Sequence, residues 1–230
     1  MTVTVNQVLH LPWLGFFERA AKSDVFVLYD TIQFLKQDFF NRNRLKTPQG
    51  AQWLTVPVRH PYEVPQTQVY IDNTKDWARR NWRQIETNYN KAPYFQAYEE
   101  SFQKLYKGPW EKLVDLNTAC IIYIAEQMGI RATFVKASEL PINHEAEKSQ
   151  RLADMCKVLG AHTYYSGQGG HRYLREEPFV KEGIRVTYQD FRHPVYPQLY
   201  GDFIPELSVI DLLFNKGPES LAVVLGANTP

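Results

Sequence analysis

Residues 2–30 read TVTVNQVLHLPWLGFFERAAKSDVFVLYD, and this opening sets the architecture. TVTVNQ (2–7) alternates β-branched residues with others, the pattern of a short strand. From Pro12 to Lys22, Trp13, Phe16, Phe17 and Ala20 recur at helical spacing, and a proline is tolerated in a first helical turn. DVFVLYD (24–30) is an almost unbroken apolar run, which suits a strand covered on both faces. Strand, helix and strand in so short a span make a βαβ unit, whose crossover is right-handed.

Beyond it, QWLTVPV (52–58) predicts a strand, with Pro57 placing it at a sheet edge or at its own end. Residues 74–129 carry a helical pattern, with helices expected at about 75–90, 94–107 and 110–128, interrupted at Pro93 and stopped by Gly129. ATFVKASEL (132–140) and HTYYSG (162–167) read as strands around a helix at 149–159, which Gly160 closes, giving a second βαβ unit. IRVTYQDF (184–191) adds a strand, and 205–213 and 219–225 read as the last helices. The expected class is α/β: a mostly parallel sheet with flanking helices, Rossmann-like or nucleotidyltransferase-like, in one domain over 1–230 with a helical insert at about 74–129.

Composition narrows the function. Hydrophobic residues at 44% and charged residues at 22% exclude a disordered or fibrous chain. Twenty-six basic against 25 acidic residues leave +1, which argues against a DNA-binding coat of charge. Cys120 and Cys156 sit in no CxxC or CxxH, so neither a disulfide scaffold nor a structural zinc is expected. No apolar run approaches the roughly 18 residues of a membrane helix, and MTVTVNQVLH lacks a basic stretch leading into an apolar one, so a soluble cytoplasmic protein with no membrane partner is expected. Trp77, Trp82, Tyr89, Tyr94 and Phe95 interleave with Arg79, Arg80 and Arg83, as in a platform for bases. Their spacing fits a core-facing stripe better, and no nucleic-acid partner is expected.

Ligands of open α/β sheets bind beyond the carboxyl ends of the strands, where the strand order reverses. Three segments are expected at that edge. Gln7 to Trp13 leaves the first strand, and His10 just before a helix start is a candidate general base, with Gln7 and Trp13 as binding residues. DTIQFLKQDFFNRNRLK (30–46) follows the second strand. Its Asn41, Arg42 and Arg44 offer amides and guanidiniums to hydroxyls and phosphates, and Asp30 and Gln33 join the binding set. Ser166, Gly167, Gly169 and Gly170, in SGQGG, let backbone approach a ligand closely, although the spacing is not the dinucleotide fingerprint. All three segments are expected to line one pocket.

Asp190 stands three residues before His193 and would orient it for proton transfer, so both join His10 as catalytic candidates. His10, His171 and His193 are expected at the same sheet edge, where a proton-handling pocket is preferred to a metal site; no metal and no cofactor are expected. Between residues 36 and 91 ten Lys or Arg face five Asp or Glu, which leaves that region at +5 and the remainder at −4. A basic region of this kind draws an anionic substrate.

The stretches NQVLHLPWLGFFERAAKSDVFVLYDTIQFLKQDFFNRNRLKTPQGAQWLTVPV, KAPYF, RLADMCKVLGAHTYYSGQGGHRYL and FIPELSVIDLLFN, in this order, resemble the WbqC-like proteins. That family opens closer to Gln-Pro-aromatic-Leu-Pro-Trp, whereas Val8, Leu9 and His10 here separate Gln7 from Leu11-Pro12-Trp13. Tyr173 and Asn215, within the later motifs, complete the binding set. The resemblance implies work in surface-polysaccharide or other glycan biosynthesis. The expectation built on it is acyl or aminoacyl transfer to the amine of a nucleotide-linked amino sugar, from a carrier-bound or activated donor. With no serine or cysteine nucleophile clearly placed, direct attack is expected. Expected partners are an anionic small molecule (a nucleotide sugar or a phosphopantetheine-linked donor) and an acyl carrier protein. A non-catalytic sugar-nucleotide scaffold of polysaccharide assembly is one alternative. The other is an ATP-using adenylation enzyme, because the arrangement is similar to nucleotidyltransferases of the pantothenate-synthetase type. The second histidine of that signature is absent, since Trp13 follows Pro12.

Overall fold

A computed structural model describes residues 1–35, 38–59 and 63–226. The chain opens with β1 (Thr2–Gln7), α1 (Leu14–Ala21) and β2 (Val25–Tyr29). A hairpin follows, β3 (Arg42–Thr47) and β4 (Gly50–Thr55), then the short pair β5 (Val58–Arg59) and β6 (Tyr70–Ile71). Three helices come next: α2 (Trp77–Tyr89), α3 (Phe95–Lys107) and α4 (Leu113–Gln127). The chain returns with β7 (Thr133–Lys136), α5 (Lys148–Val158), β8 (Thr163–Ser166), α6 (Glu177–Lys181) and β9 (Arg185–Tyr188). It ends in α7 (Val209–Lys216) and α8 (Ser220–Val224).

The expected α/β class holds: five parallel strands form the sheet in the order β7-β2-β1-β8-β9. Alternation along β1 explains its two-sided cover, since successive side chains face opposite ways. Val3 and Val5 pack with Val27 and Tyr29 against Leu152, Met155 and Cys156 of α5. On the other face Phe26 and Leu28 meet Phe16 and Phe17 of α1, with the Phe16 and Phe26 rings 4.5 Å apart. That larger core continues through α2, α3, α4, α7 and α8, where Tyr89, Phe95 and Phe102 gather around Phe214. The aromatic stripe of the three middle helices is therefore core. Gly129 and Gly160 close α4 and α5 with φ of +73° and +70°, the left-handed conformation that glycine adopts without steric cost.

The NRNR segment forms the first strand of a hairpin, with Arg44 opposite Trp53 and Thr47 opposite Gly50. Two expectations are corrected. The strand expected at 52–58 divides between β4 and β5, in two separate small sheets, where Pro57 interrupts it. The helix expected from Pro205 starts at Val209, because the Ser208 hydroxyl accepts the Ile210 amide as the helix cap. Among the described residues no helix is long and apolar enough to cross a membrane.

Candidate functional site

In order of appearance the sheet strands run 3-2-1-4-5, so the chain reverses direction between β1 and β8. A cavity of about 350 Å³ opens there, lined by the end of β1, Trp13, Gly167–Gly170, Tyr173, Gln189 and one charged side chain, Arg19. Arg19 is only 6% exposed. Its Nη1 donates to the Val5 carbonyl at 3.3 Å and reaches the Thr4 hydroxyl at 3.5 Å. No ion pair among the described residues includes it. The neighbouring Glu18 is already engaged with Lys22 at 2.5 Å, the Tyr165 hydroxyl at 3.0 Å and Gln189 Nε2 at 2.7 Å. Burial lowers the Arg19 pKa, partly offset by the nearby Tyr164, Tyr173 and Tyr165 and, least, by Glu18. A desolvated cation that makes no ion pair at a cavity wall favours an entering anion.

The glycines here have separate reasons. A Cβ on Gly167 would stand 3.1 Å from Arg19 Nη1, and one on Gly170 would stand 2.1 Å from Ser166 Oγ. Gly167 thus makes room for the guanidinium, and Gly170 for the Ser166 side chain. A Cβ on Gly169 meets nothing within 4 Å.

Leu9 and Trp13 also wall a second hollow of about 220 Å³, shared with Phe39, Asn43 and Glu206 and mainly apolar. The Trp13 ring packs edge-on against Phe191 at 5.4 Å and lies where a Cβ on Gly15 would stand. Trp13 is therefore the ridge between a polar compartment and an apolar one.

The loop that carries Trp13 is held from several sides. His10 is fully buried, and its Nδ1 lies 2.9 Å from Asn117 Oδ1. The Asn117 amide nitrogen faces the carbonyls of Phe40 and Val8 at 2.7 and 3.4 Å, so its oxygen must face His10. The imidazole therefore donates from Nδ1 and accepts the Tyr106 hydroxyl at Nε2, 3.1 Å away. Burial lowers its pKa to about 4, against the raising effect of Asn117. Leu11 takes φ of +43°, a strained value for a leucine. Asn43 Nδ2 holds that turn by donating to the carbonyls of Leu11 at 2.7 Å and His10 at 3.2 Å.

Of the expected site residues, Trp13, Gly167, Gly169, Gly170 and Tyr173 line the switch-point cavity. Asn41, Arg42 and Arg44 do not join them. Asn41 donates to the Val56 carbonyl, Arg42 lies 4.1 Å over the Trp53 ring, and Arg44 binds the Glu206 carbonyl at 3.1 Å. Strand alternation is the cause: the side chain turned inward is that of Asn43. Asp30 accepts the Ser138 amide and hydroxyl at 2.9 and 2.6 Å, and Asn215 donates to the Asp211 carbonyl within α7. Gln33 is exposed, bridging Pro65 by its backbone, and Gln7 pairs with Tyr29 at the end of β1.

His193 points its ring nitrogens at the Pro194 carbonyl and the Glu206 amide, so Asp190, exposed nearby, does not orient it. His171 stacks on Tyr188 at 3.7 Å, and the three histidines do not converge. Among the described residues no group of three or more His, Cys, Asp or Glu is placed to hold a metal ion. The residue that sequence reasoning passed over is Arg19. Its signal was there: three residues after Phe16 and one before Ala20, it lies on the apolar stripe of α1.

The chain belongs to the WbqC-like protein family, whose model matches residues 7–223. It is 36% identical over 222 residues, 95% of each chain, to the uncharacterized protein Rv1507c of Mycobacterium tuberculosis. No solved structure matches it.

Proposed function

We propose that this chain is an enzyme of glycan assembly that seats the phosphate or pyrophosphate of a nucleotide-linked amino sugar in the switch-point cavity and acylates or aminoacylates its amine. The supporting observation is Arg19, a buried guanidinium that makes no ion pair among the described residues, at the place where sheets of this order take their ligands. The apolar hollow across the Trp13 ridge suits the acyl end of a donor carried on phosphopantetheine, on an acyl carrier protein or in another activated form.

In this reaction the amine nitrogen attacks the donor's carbonyl carbon. The bond from that carbon to the leaving sulfur or oxygen breaks, and the leaving atom gains the proton that the amine sheds. No carboxylate or histidine lines the cavity among the described residues, so that proton travels through solvent. Neither His10 nor His193 has a ring nitrogen free to take it.

That same engagement of both histidines favours a second reading, a sugar-nucleotide binding protein without a reaction of its own. Incubation with nucleotide-linked amino sugars and acyl donors, followed by mass spectrometry, separates the two. An acylated product that disappears with Arg19→Met supports the enzyme. A nucleotide sugar retained but unconverted with every donor supports the binding protein.

A further inference from the structure

Two further cations lie outside the lining of the switch-point cavity, behind its residue Tyr173. Tyr173, which lines the cavity, carries the Lys148 ammonium 3.3 Å above its ring. Three residues along α5, the Arg151 guanidinium lies 5.8 Å from the ring of Tyr29, the last residue of β2. Tyr29 is 4% exposed, and its hydroxyl has no hydrogen-bond partner among the described residues. The Nε of Arg151 is buried and equally without one, while its Nη1 donates to the His144 carbonyl.

The acidic neighbour Glu147 offsets this charge only in part. Glu147 caps α5 by accepting the amides of Ser149 and Gln150, and it pairs with Arg175 at 2.9 Å. No ion pair among the described residues includes Lys148 or Arg151. Partial burial, then the nearby Arg151 charge, push the Lys148 pKa down, against the smaller raising effect of Glu147. A buried hydroxyl with no partner is unfavourable, and native proteins keep few of them unless something binds there.

We propose that Tyr29, Lys148 and Arg151 form a second anion subsite, across Tyr173 from Arg19, that takes the second phosphate of a diphosphate ligand. The proposal rests on the Arg19 cavity being an anion site and deepens that reading. Two phosphates joined through one oxygen are held from two sides: by Arg19 from α1, and by Tyr29 of β2 with Arg151 and Lys148 of α5. The amides of α5 take no part, because Glu147 already caps them. Lys148, exposed and on a flexible stem, swings from the Tyr173 ring onto the phosphate. The crevice thereby selects a nucleoside diphosphate derivative over a ligand with a single phosphate, such as phosphopantetheine.

The test is calorimetric titration of the full chain with inorganic phosphate and with inorganic pyrophosphate, for wild type, Arg19→Met, Tyr29→Phe and Arg151→Gln. Wild type is expected to bind pyrophosphate at least tenfold tighter than phosphate. Tyr29→Phe and Arg151→Gln are expected to shrink that ratio threefold or more while leaving phosphate affinity within twofold. Arg19→Met is expected to weaken both anions. Should Arg151→Gln fail to fold, Tyr29→Phe decides alone, since it removes one oxygen and keeps the ring. An unchanged ratio in the folded variants, or no pyrophosphate preference in wild type, overturns the second subsite. If phosphate binding then still depends on Arg19, the cavity reading stands. Binding of neither anion by wild type overturns both.

Discussion

His10 and Asn117 face each other across 2.9 Å in the interior, imidazole Nδ1 to amide oxygen, from the first loop and from α4. The imidazole is held neutral, with its pKa lowered to about 4 from 6.5, so its protonation opposes folding. The unfolded chain takes up the proton below pH 6.5, while the native chain resists until pH 4. Stability is therefore full above 6.5, falls through that window and levels off below 4. At pH 5 the loss from this residue is about 2 kcal/mol. Denaturant titrations at pH 7 and pH 5 measure it, with His10→Gln as the control that lacks the slope. Equal slopes in the two proteins would remove His10 from this role.

Arg19→Met separates binding from folding. Replacing a buried, unpaired cation with an apolar side chain of similar length is neutral or stabilising, on the order of 1–4 kcal/mol when buried ion pairs are so replaced. The melting temperature is expected to hold or rise. Anion affinity is expected to drop by roughly 1.5–3 kcal/mol, the range for hydrogen bonds to charged groups. A folded variant with undiminished anion binding would place the ligand elsewhere.

The glycines give a graded series. Gly170→Ala presses a methyl onto the buried Ser166 hydroxyl, and about 1–3 kcal/mol of stability is expected to be lost. Gly167→Ala displaces the Arg19 guanidinium by a few tenths of an ångström, so anion affinity suffers more than stability. Gly169→Ala enters open space and is expected to leave the melting temperature alone. Thermal melts and phosphate titrations of the three variants would show this order or refute it.

Arg44→Ala is expected to change little. Its contacts are the Glu206 carbonyl and, at 3.7 Å, the exposed Glu206 carboxylate. Pairs of that kind contribute about 0–1 kcal/mol. Anion affinity is expected to match wild type; a tenfold loss would return the hairpin arginines to the ligand site.

The parallel sheet was legible because period-two alternation and β-branched runs mark strands locally, and the helices of 77–127 because their aromatic rings repeat at helical spacing. That the end of β1 and SGQGG line a cavity was legible because both segments leave the carboxyl ends of strands. The identity of its cation was not. Arg42 and Arg44 announce themselves as a charged cluster, yet strand pairing turns them toward Trp53 and Glu206. Arg19 is silent in composition, since one arginine in LGFFERAA carries no cluster. The roles of His10 and His193 depend on partners 107 and 13 residues away, which no local pattern encodes.

The strained turn at Leu11 ties together parts of the chain made at very different times. Asn43 of the hairpin grips its carbonyl, Asn117 of α4 grips the preceding histidine, and the Val209 amide at the start of α7 donates to the Pro12 carbonyl. A newly synthesised chain that has completed only its first βαβ unit owns the cavity-lining residues Leu9, Trp13 and Arg19 but none of these anchors. Leu11 is then free to relax, and the ridge that Trp13 forms is lost with it. The shape of the cavity is thus completed last, and a fragment ending before Val209 carries its lining residues without the anchor at Pro12.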